Sequence, residues 1–374
     1  MKQYFCVGTY TEPILFGTGQ IFQGKGRGIY FCSFEDGKME VLQCLELTNP
    51  SYFCVDSGYK KIYAVNETKE YQGEFGGGVT QVSFQDGILR KEFSVNTGGT
   101  DPCHIEMAPD RSFLSVANFA SGSVSVFPLD QDGNMTGERR LFRHEGSSVH
   151  PVRQKGPHAH GTVFQNGKKR MLVPDLGIDK IKVYAVEPSC ALPVPEEDIV
   201  TEPGSGPRFG TFSENGRDFY LIHELASSVA HYRCEEGGLV FRQKVSTLPE
   251  GFPAENNICS DLHLTPDERY LYASNRGHDS ICCFRVKKNG DLELIERVSS
   301  GGKTPRNFCV DPSGRYVLAG NQDSDTIVIF SIGQDGRLTE NQRLYFPSPV
   351  CIRFFFINRT ILLISVYQLD IITA

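Results

Sequence analysis

The chain of 374 residues has no tryptophan, which excludes any repeat built on a Trp-Asp dipeptide. None of its 12 cysteines forms a C-x-x-C pair. Cys6, Cys32, Cys54, Cys283, Cys309 and Cys351 lie instead inside apolar runs, where a free thiol behaves as a small hydrophobe. Positive charge is not in excess: 38 Lys and Arg against 45 Asp and Glu leave a net charge of −7. No global field therefore draws in nucleic acid or an anionic membrane, and an anionic ligand must be caught by local Arg or Lys. Met1-Lys2-Gln3 leads straight into Tyr4-Phe5-Cys6-Val7 without a strongly basic segment or a long apolar one, so no secretory signal is expected and the reducing cytoplasm is the expected compartment.

Several sharp chemistries are missing as well. No G-x-S-x-G elbow occurs. His223-Glu224-Leu225-Ala226-Ser227 begins like a zinc-binding helix but has Ser where the second His must stand. Gly24-Lys25-Gly26-Arg27-Gly28 lacks the spacing of a phosphate-binding loop and reads as a flexible connection, and Gly73 to Gly78 reads as a turn leading into a strand. Neither a metal nor a cofactor is expected.

What is present is a unit repeated seven times. Each copy opens on a proline or its stand-in, passes through an apolar run, a polar turn and a second apolar run, and closes on a polar residue. Pro102 to Asn118, Cys259 to Asn275 and Pro305 to Asn321 are the clearest copies, and they share an interval of 16 residues with Pro50/Asn66 and Pro207/His223. Pro157/Asp175 stands at 18. The openings Pro50, Pro102, Pro157, Pro207, Cys259, Pro305 and Pro349 follow one another at 52, 55, 50, 52, 46 and 44 residues, the length of a four-stranded blade. In the unit starting at Pro50 the strands expected are Tyr52 to Val55, Lys61 to Val65, Gly78 to Phe84 and Leu89 to Val95.

The ends complete the count. Tyr4 to Thr9, Gly28 to Phe34 and Met39 to Leu47 match the second, third and fourth strands of a unit that lacks its first, and Pro349 to Phe355 supplies a first strand. An all-β, seven-bladed β-propeller over residues 1–355 is therefore expected, one blade closed by strands from both termini. Residues 356–374 form an apolar tail that the repeat does not absorb. Asn358, Arg359, Gln368 and Asp370 keep it below membrane-spanning length.

In such a ring, the entries to the first strands and the exits from the second strands face the same channel mouth. One residue after the openings stand Ser51, Cys103, His158, Arg208, Ser260 and Arg306, with His160 two further on along the pleat; one after the closings stand Glu67, Phe119, Leu176, Glu224, Arg276 and Gln322. Equivalent positions should hold similar residues if they serve only the fold, and here they diverge. His160, Arg208, Glu224 and Arg276 are expected to converge. An imidazole or carboxylate there can move a proton, and guanidinium groups can hold a carboxylate or phosphate and stabilise an oxyanion. Plainer readings stand beside these. His158 could serve only strand entry, Glu224 could pair with a neighbouring Arg, and Arg306 with Lys303 could be solvated loop charges. His104, Asp261 and His263 are expected to be structural.

Val7-Gly8-Thr9-Tyr10-Thr11, Gly156-Pro157-His158-Ala159-His160, Gly206-Pro207-Arg208, Asn275-Arg276-Gly277-His278-Asp279-Ser280 and Pro347-Ser348-Pro349-Val350-Cys351 together resemble the seven-bladed propeller lactonases, the bacterial 6-phosphogluconolactonase family, with the carboxymuconate cyclases as fold relatives. The resemblance implies metal-free hydrolysis of 6-phospho-D-glucono-1,5-lactone to 6-phosphogluconate in the pentose phosphate pathway. It implies Glu224 or His160 activating water, Arg208 stabilising the oxyanion, and Arg276, Arg306 and His158 at the substrate. Its partner is then a small phosphorylated sugar lactone, taken by a monomer or weak homo-oligomer, with no nucleic acid and no membrane. The alternatives are a cyclase or a lactonase for another sugar, needing fewer cations at the mouth, and a non-catalytic binding platform.

Overall fold

A computed structural model describes residues 2–17, 19–58, 60–85, 87–165 and 167–355. The expectation for the tail 356–374 lies outside the described residues.

Seven antiparallel sheets form the blades. In the second blade the strands are Phe53–Asp56, Lys61–Asn66, Gly78–Gln85 and Ile88–Asn96, each within a residue of its expected bounds. Second strands such as Phe113–Asn118 are buried along their whole length, because neighbouring blades cover both of their faces. That is why they read as unbroken apolar runs rather than as alternation. Outer strands such as Leu338–Tyr345 are half exposed and alternate.

The first blade is made from both ends of the described chain. Pro349–Phe355 pairs with Gln3–Thr9, from Tyr4 opposite Phe355 to Gly8 opposite Cys351, and Gly28–Glu35 and Lys38–Glu46 complete it. Phe5, Val7, Phe34 and Ile352 then pack against Leu318, Ile327 and Ile329 of the seventh blade, so the ring closes through an apolar interface. Edge strands that would otherwise recruit other chains are thereby covered.

A polar device repeats between blades. The third residue of the second strand is a buried tyrosine in blades two, five and six, and its hydroxyl donates to a turn carbonyl of the following blade: Tyr63 to Gly133 at 2.5 Å, Tyr220 to Gly290 at 2.8 Å and Tyr272 to Gly336 at 2.7 Å. Each bond satisfies a buried phenol, whose isolation would cost about 1–3 kcal/mol, and fixes one blade against the next.

The 16-residue interval proves to be a hydrogen-bonding register. Pro102 faces Asn118, Pro207 faces His223, Cys259 faces Asn275 and Pro305 faces Asn321. The fourth blade corrects the count made from Pro157: Asp175 pairs with Ala159, 16 residues away, so that His160 and not His158 follows the opening position. Gly24 and Gly26 also differ from a flexible connection. Gly26 donates to the Tyr10 carbonyl at 2.8 Å, and a Cβ there would stand 2.1 Å from Thr9 Oγ1, so glycine is required by close packing.

Candidate active site

The register breaks just past the opening position, where bulges lie between Pro102 and His104, Pro207 and Phe209, Cys259 and Leu262, and Pro305 and Asn307. A bulged residue is released from the ladder and can be re-aimed. Cys103, Arg208 and Arg306 occupy these places, and His160 stands at the matching position of blade four.

Glu224, directly after the strand Asp218–His223, is the centre of the site and is 2% exposed. Its Oε1 accepts from Arg153 Nη2 at 2.5 Å, and its Oε2 accepts from Arg276 Nη2 at 2.8 Å and from Arg208 Nε at 3.0 Å. His160 Nε2 lies 3.9 Å from the same Oε2. Burial would push the Glu224 carboxyl up, but Arg153, Arg276 and Arg208 together hold it well below the usual carboxylate range. His160 moves the same way for other reasons: burial, then the Arg208 guanidinium, push the imidazole well below its ordinary value, so it is neutral at pH 7. Its Nδ1 lies 3.5 Å from Cys103 Sγ. Burial lowers Arg276 to about 9 despite Glu224.

A second carboxylate faces this one. Glu67, after the strand Lys61–Asn66, accepts from the Tyr10 hydroxyl at 2.9 Å and stands 3.8 Å from Arg306 Nη2. Burial raises its carboxyl and Arg306 only partly offsets this. Arg306 also lies 5.3 Å over the Tyr10 ring and 5.6 Å over that of Phe16.

Between them is a cavity of about 230 Å³ lined by His160, Glu224, Arg276, Arg153, Arg306 and Glu67, among others. Arg208 lines not this cavity but a small adjoining pocket that shares Cys103, His160 and Arg306 with it. His158 lines neither: its Nδ1 bonds to the Phe119 carbonyl at 3.0 Å, its ring stacks on Phe119 at 4.5 Å, and its backbone N–H donates to Asp175. His104, whose ring lies between those of Tyr52 and Phe209, and Asp261, bonded to His263, serve the packing.

Arg153 is the member of the cluster that the repeat register does not reach. It stands on the connection between blades three and four, outside any strand, and the only mark of that excursion in the sequence is the 55-residue spacing of Pro102 and Pro157, the longest of the six. The connection is anchored on buried groups. His144 Nδ1 bonds to Asp175 Oδ2 at 2.6 Å and its Nε2 to the Tyr184 hydroxyl at 2.8 Å, and Gln154 Nε2 donates to the Leu176 carbonyl at 2.8 Å. The hairpin Pro13–Leu15 with Ile21–Gln23 covers the mouth from the other side, and a Cβ on its Gly17 would come within 3.2 Å of Arg153 Nε. Among the described residues no group of three or more His, Cys, Asp or Glu could hold a metal ion, and no helix is long and apolar enough to cross a membrane.

The model of the family described as "Lactonase, 7-bladed beta-propeller" matches residues 4–354. The 6-phosphogluconolactonase of Bacillus subtilis (strain 168) is 31% identical over 320 residues, 82% of this chain and 84% of that one. The 6-phosphogluconolactonase of Formosa agariphila is 32% identical over 298 residues, 77% and 83% of the two chains. Among solved structures, the Pseudomonas aeruginosa periplasmic gluconolactonase PpgL superimposes with a TM-score of 0.86 at 31% identity, covering 96% of this chain and all of that one. With the seven sheets closed as a ring and the match running from the first strand to the last, the chain belongs to the seven-bladed β-propeller lactonase family.

Proposed function

We propose that this protein is a 6-phosphogluconolactonase, opening 6-phospho-D-glucono-1,5-lactone to 6-phosphogluconate as a step of the pentose phosphate pathway. The named relatives support the substrate. The observation that carries the chemistry is an imidazole 3.9 Å from a carboxylate already bound by three guanidiniums, at the wall of one cavity. Glu224, with both oxygens held by guanidinium groups, is not free to serve as the base. Its role is to hold three arginines in place. His160 takes a proton from water as the water oxygen attacks the lactone carbonyl carbon, a role worth about 10²- to 10⁴-fold. The arginines outnumber their carboxylate, and the surplus positive charge stabilises the oxyanion. Among the described residues Arg153 and Arg276 each keep a buried Nε without a partner, and burial, with the Arg208 guanidinium second, disfavours the protonated form of His160. Arg306, across the cavity, is the group for the substrate phosphate.

A second reading, a gluconolactonase for the unphosphorylated sugar, is favoured by the acidic residues Glu67, Asp101 and Asp323 on the cavity wall. The rate of lactone opening above the spontaneous background, measured with both lactones, decides between them. The expected result is a higher kcat/KM for the phosphorylated lactone, and a loss of about 10²-fold or more in His160→Ala. Folded wild type with no rate above background on either lactone overturns the assignment. The twelve cysteines are all free, which supports the cytoplasm as compartment.

A further inference from the structure

Lactone opening needs a proton at both ends of its course: one leaves the attacking water, and one must reach the ring oxygen as the carbon–oxygen bond breaks. The arginine-rich side of the cavity supplies only the first service. Glu224 has no oxygen to spare, and the guanidinium groups stay protonated. The same cavity wall holds a further carboxylic group, on blade two, fitted to the second. Glu67 lines the cavity, is 5% exposed, and is kept in one orientation by the Tyr10 hydroxyl on Oε2 and by Arg306 near Oε1.

We propose that Glu67 is the second acid–base group of the site, delivering a proton to the ring oxygen that leaves when the lactone opens. This rests on the lactonase reading above. In the first step the water oxygen bonds to the carbonyl carbon, the carbonyl electron pair moves onto its oxygen, and the water proton goes to His160. In the second the oxyanion pair re-forms the carbonyl, the ring carbon–oxygen bond breaks, and the ring oxygen takes the Glu67 proton to become the free hydroxyl of the product. The product carboxyl loses one proton. Return of the His160 proton to Glu67, through solvent, restores the starting state. No oxidant or second substrate is consumed.

The charged and titratable groups around Glu67 fit this use. Arg306 from blade seven favours the carboxylate, as does the Tyr10 hydroxyl from blade one; Asp101 from blade three opposes it and is itself paired with Lys69, while burial and Glu67 hold the Cys103 thiol protonated. Burial is the largest influence and favours the protonated form. Glu67 and His160 thus line one cavity and take opposite tasks, the pairing of acid and base that catalysis by two groups requires.

The test is the pH dependence of kcat for 6-phosphogluconolactone, across the whole pH range in which the protein stays folded, in wild type, Glu67→Gln and Tyr10→Phe. Glu67→Gln keeps the side-chain shape and an oxygen for Tyr10 but has no proton to give. It is expected to lose about 10²-fold in kcat and the alkaline limb of the profile, while the acid limb set by His160 stays. Tyr10→Phe removes a bond to the carboxylate and is expected to move the alkaline limb to higher pH. A Glu67→Gln rate within threefold of wild type, or a lower rate with both limbs in place, overturns the proposal. If Glu67→Gln does not fold, an unmoved alkaline limb in Tyr10→Phe overturns it. Wild type inactive on both lactones overturns the parent reading instead, so the two failures are separable.

Discussion

Glu224 and Glu67 hold the same place in the repeat, one residue past the closing position of blades five and two, and both are almost wholly buried against one cavity. Their carboxyls nevertheless move in opposite directions. Three guanidiniums within 3.0 Å overcome burial at Glu224, whereas at Glu67 burial prevails over one guanidinium at 3.8 Å. The blade presents a glutamate to the channel mouth. What the ring and its excursions bring opposite that glutamate decides whether it becomes a fixed anion or a proton carrier.

The largest effect expected from breaking this contrast is in Glu224→Gln. Three buried cations lose their counter-charge, and stability should fall by about 3–5 kcal/mol, read as the midpoint of denaturant unfolding, with activity lost. The sign follows from linkage. The folded carboxyl of Glu224 lies below its unfolded value, so its contribution is complete above the ordinary carboxylate range and disappears as pH falls through the folded value. The stability gap between wild type and Glu224→Gln should therefore narrow in strong acid. A gap independent of pH would show that Glu224 does not act through its charge.

Arg153→Ala comes next. Glu224 keeps Arg208 and Arg276, so the fold should lose only about 1–3 kcal/mol, while the rate of lactone opening drops by about tenfold to a hundredfold through the lost positive charge. Unchanged kinetics would remove Arg153 from the site.

Glu67→Gln should have the smallest effect on stability, and its opposite sign is the sharpest part of the comparison. A carboxyl raised on folding stabilises the fold at low pH and loses that contribution as pH rises through its folded value. The neutral amide escapes that loss, so at pH 7 the variant should be within about 1 kcal/mol of wild type or above it. An unfolding midpoint at pH 7 as low as that of Glu224→Gln would refute the difference drawn between the two carboxylates.

Most of the architecture was legible in the chain. Blade number, the closure by Pro349 to Phe355 and the strand bounds of the second blade follow from the spacing of prolines, polar closings and apolar runs, because each unit must bury both faces of its inner strands. The same spacing singled out His160, Arg208, Glu224 and Arg276, which the structure brings together around the Glu224 carboxylate. It failed at His158, since a count from Pro157 slips by two residues where the hydrogen-bonding register starts at Ala159. Arg306 was reached but left open between a loop charge and a ligand group, and the structure brings it to the cavity wall. Glu67 was on the ruler and passed over, because nothing local to Asn66-Glu67-Thr68 distinguishes it from a solvated glutamate. Arg153 was not on the ruler at all.

By itself, then, the sequence determined the ring and which strand ends face its mouth, because strand length, pleat and turn chemistry are local and repeat with the chain. Only the tertiary structure decided what those residues are. Arg153 lies 71 residues from Glu224, and Arg306 lies far along the chain from the Glu67 and Tyr10 it meets. Proton affinity in a buried site depends on such distant charges and on exclusion of water, and neither is written in the neighbourhood of any one residue.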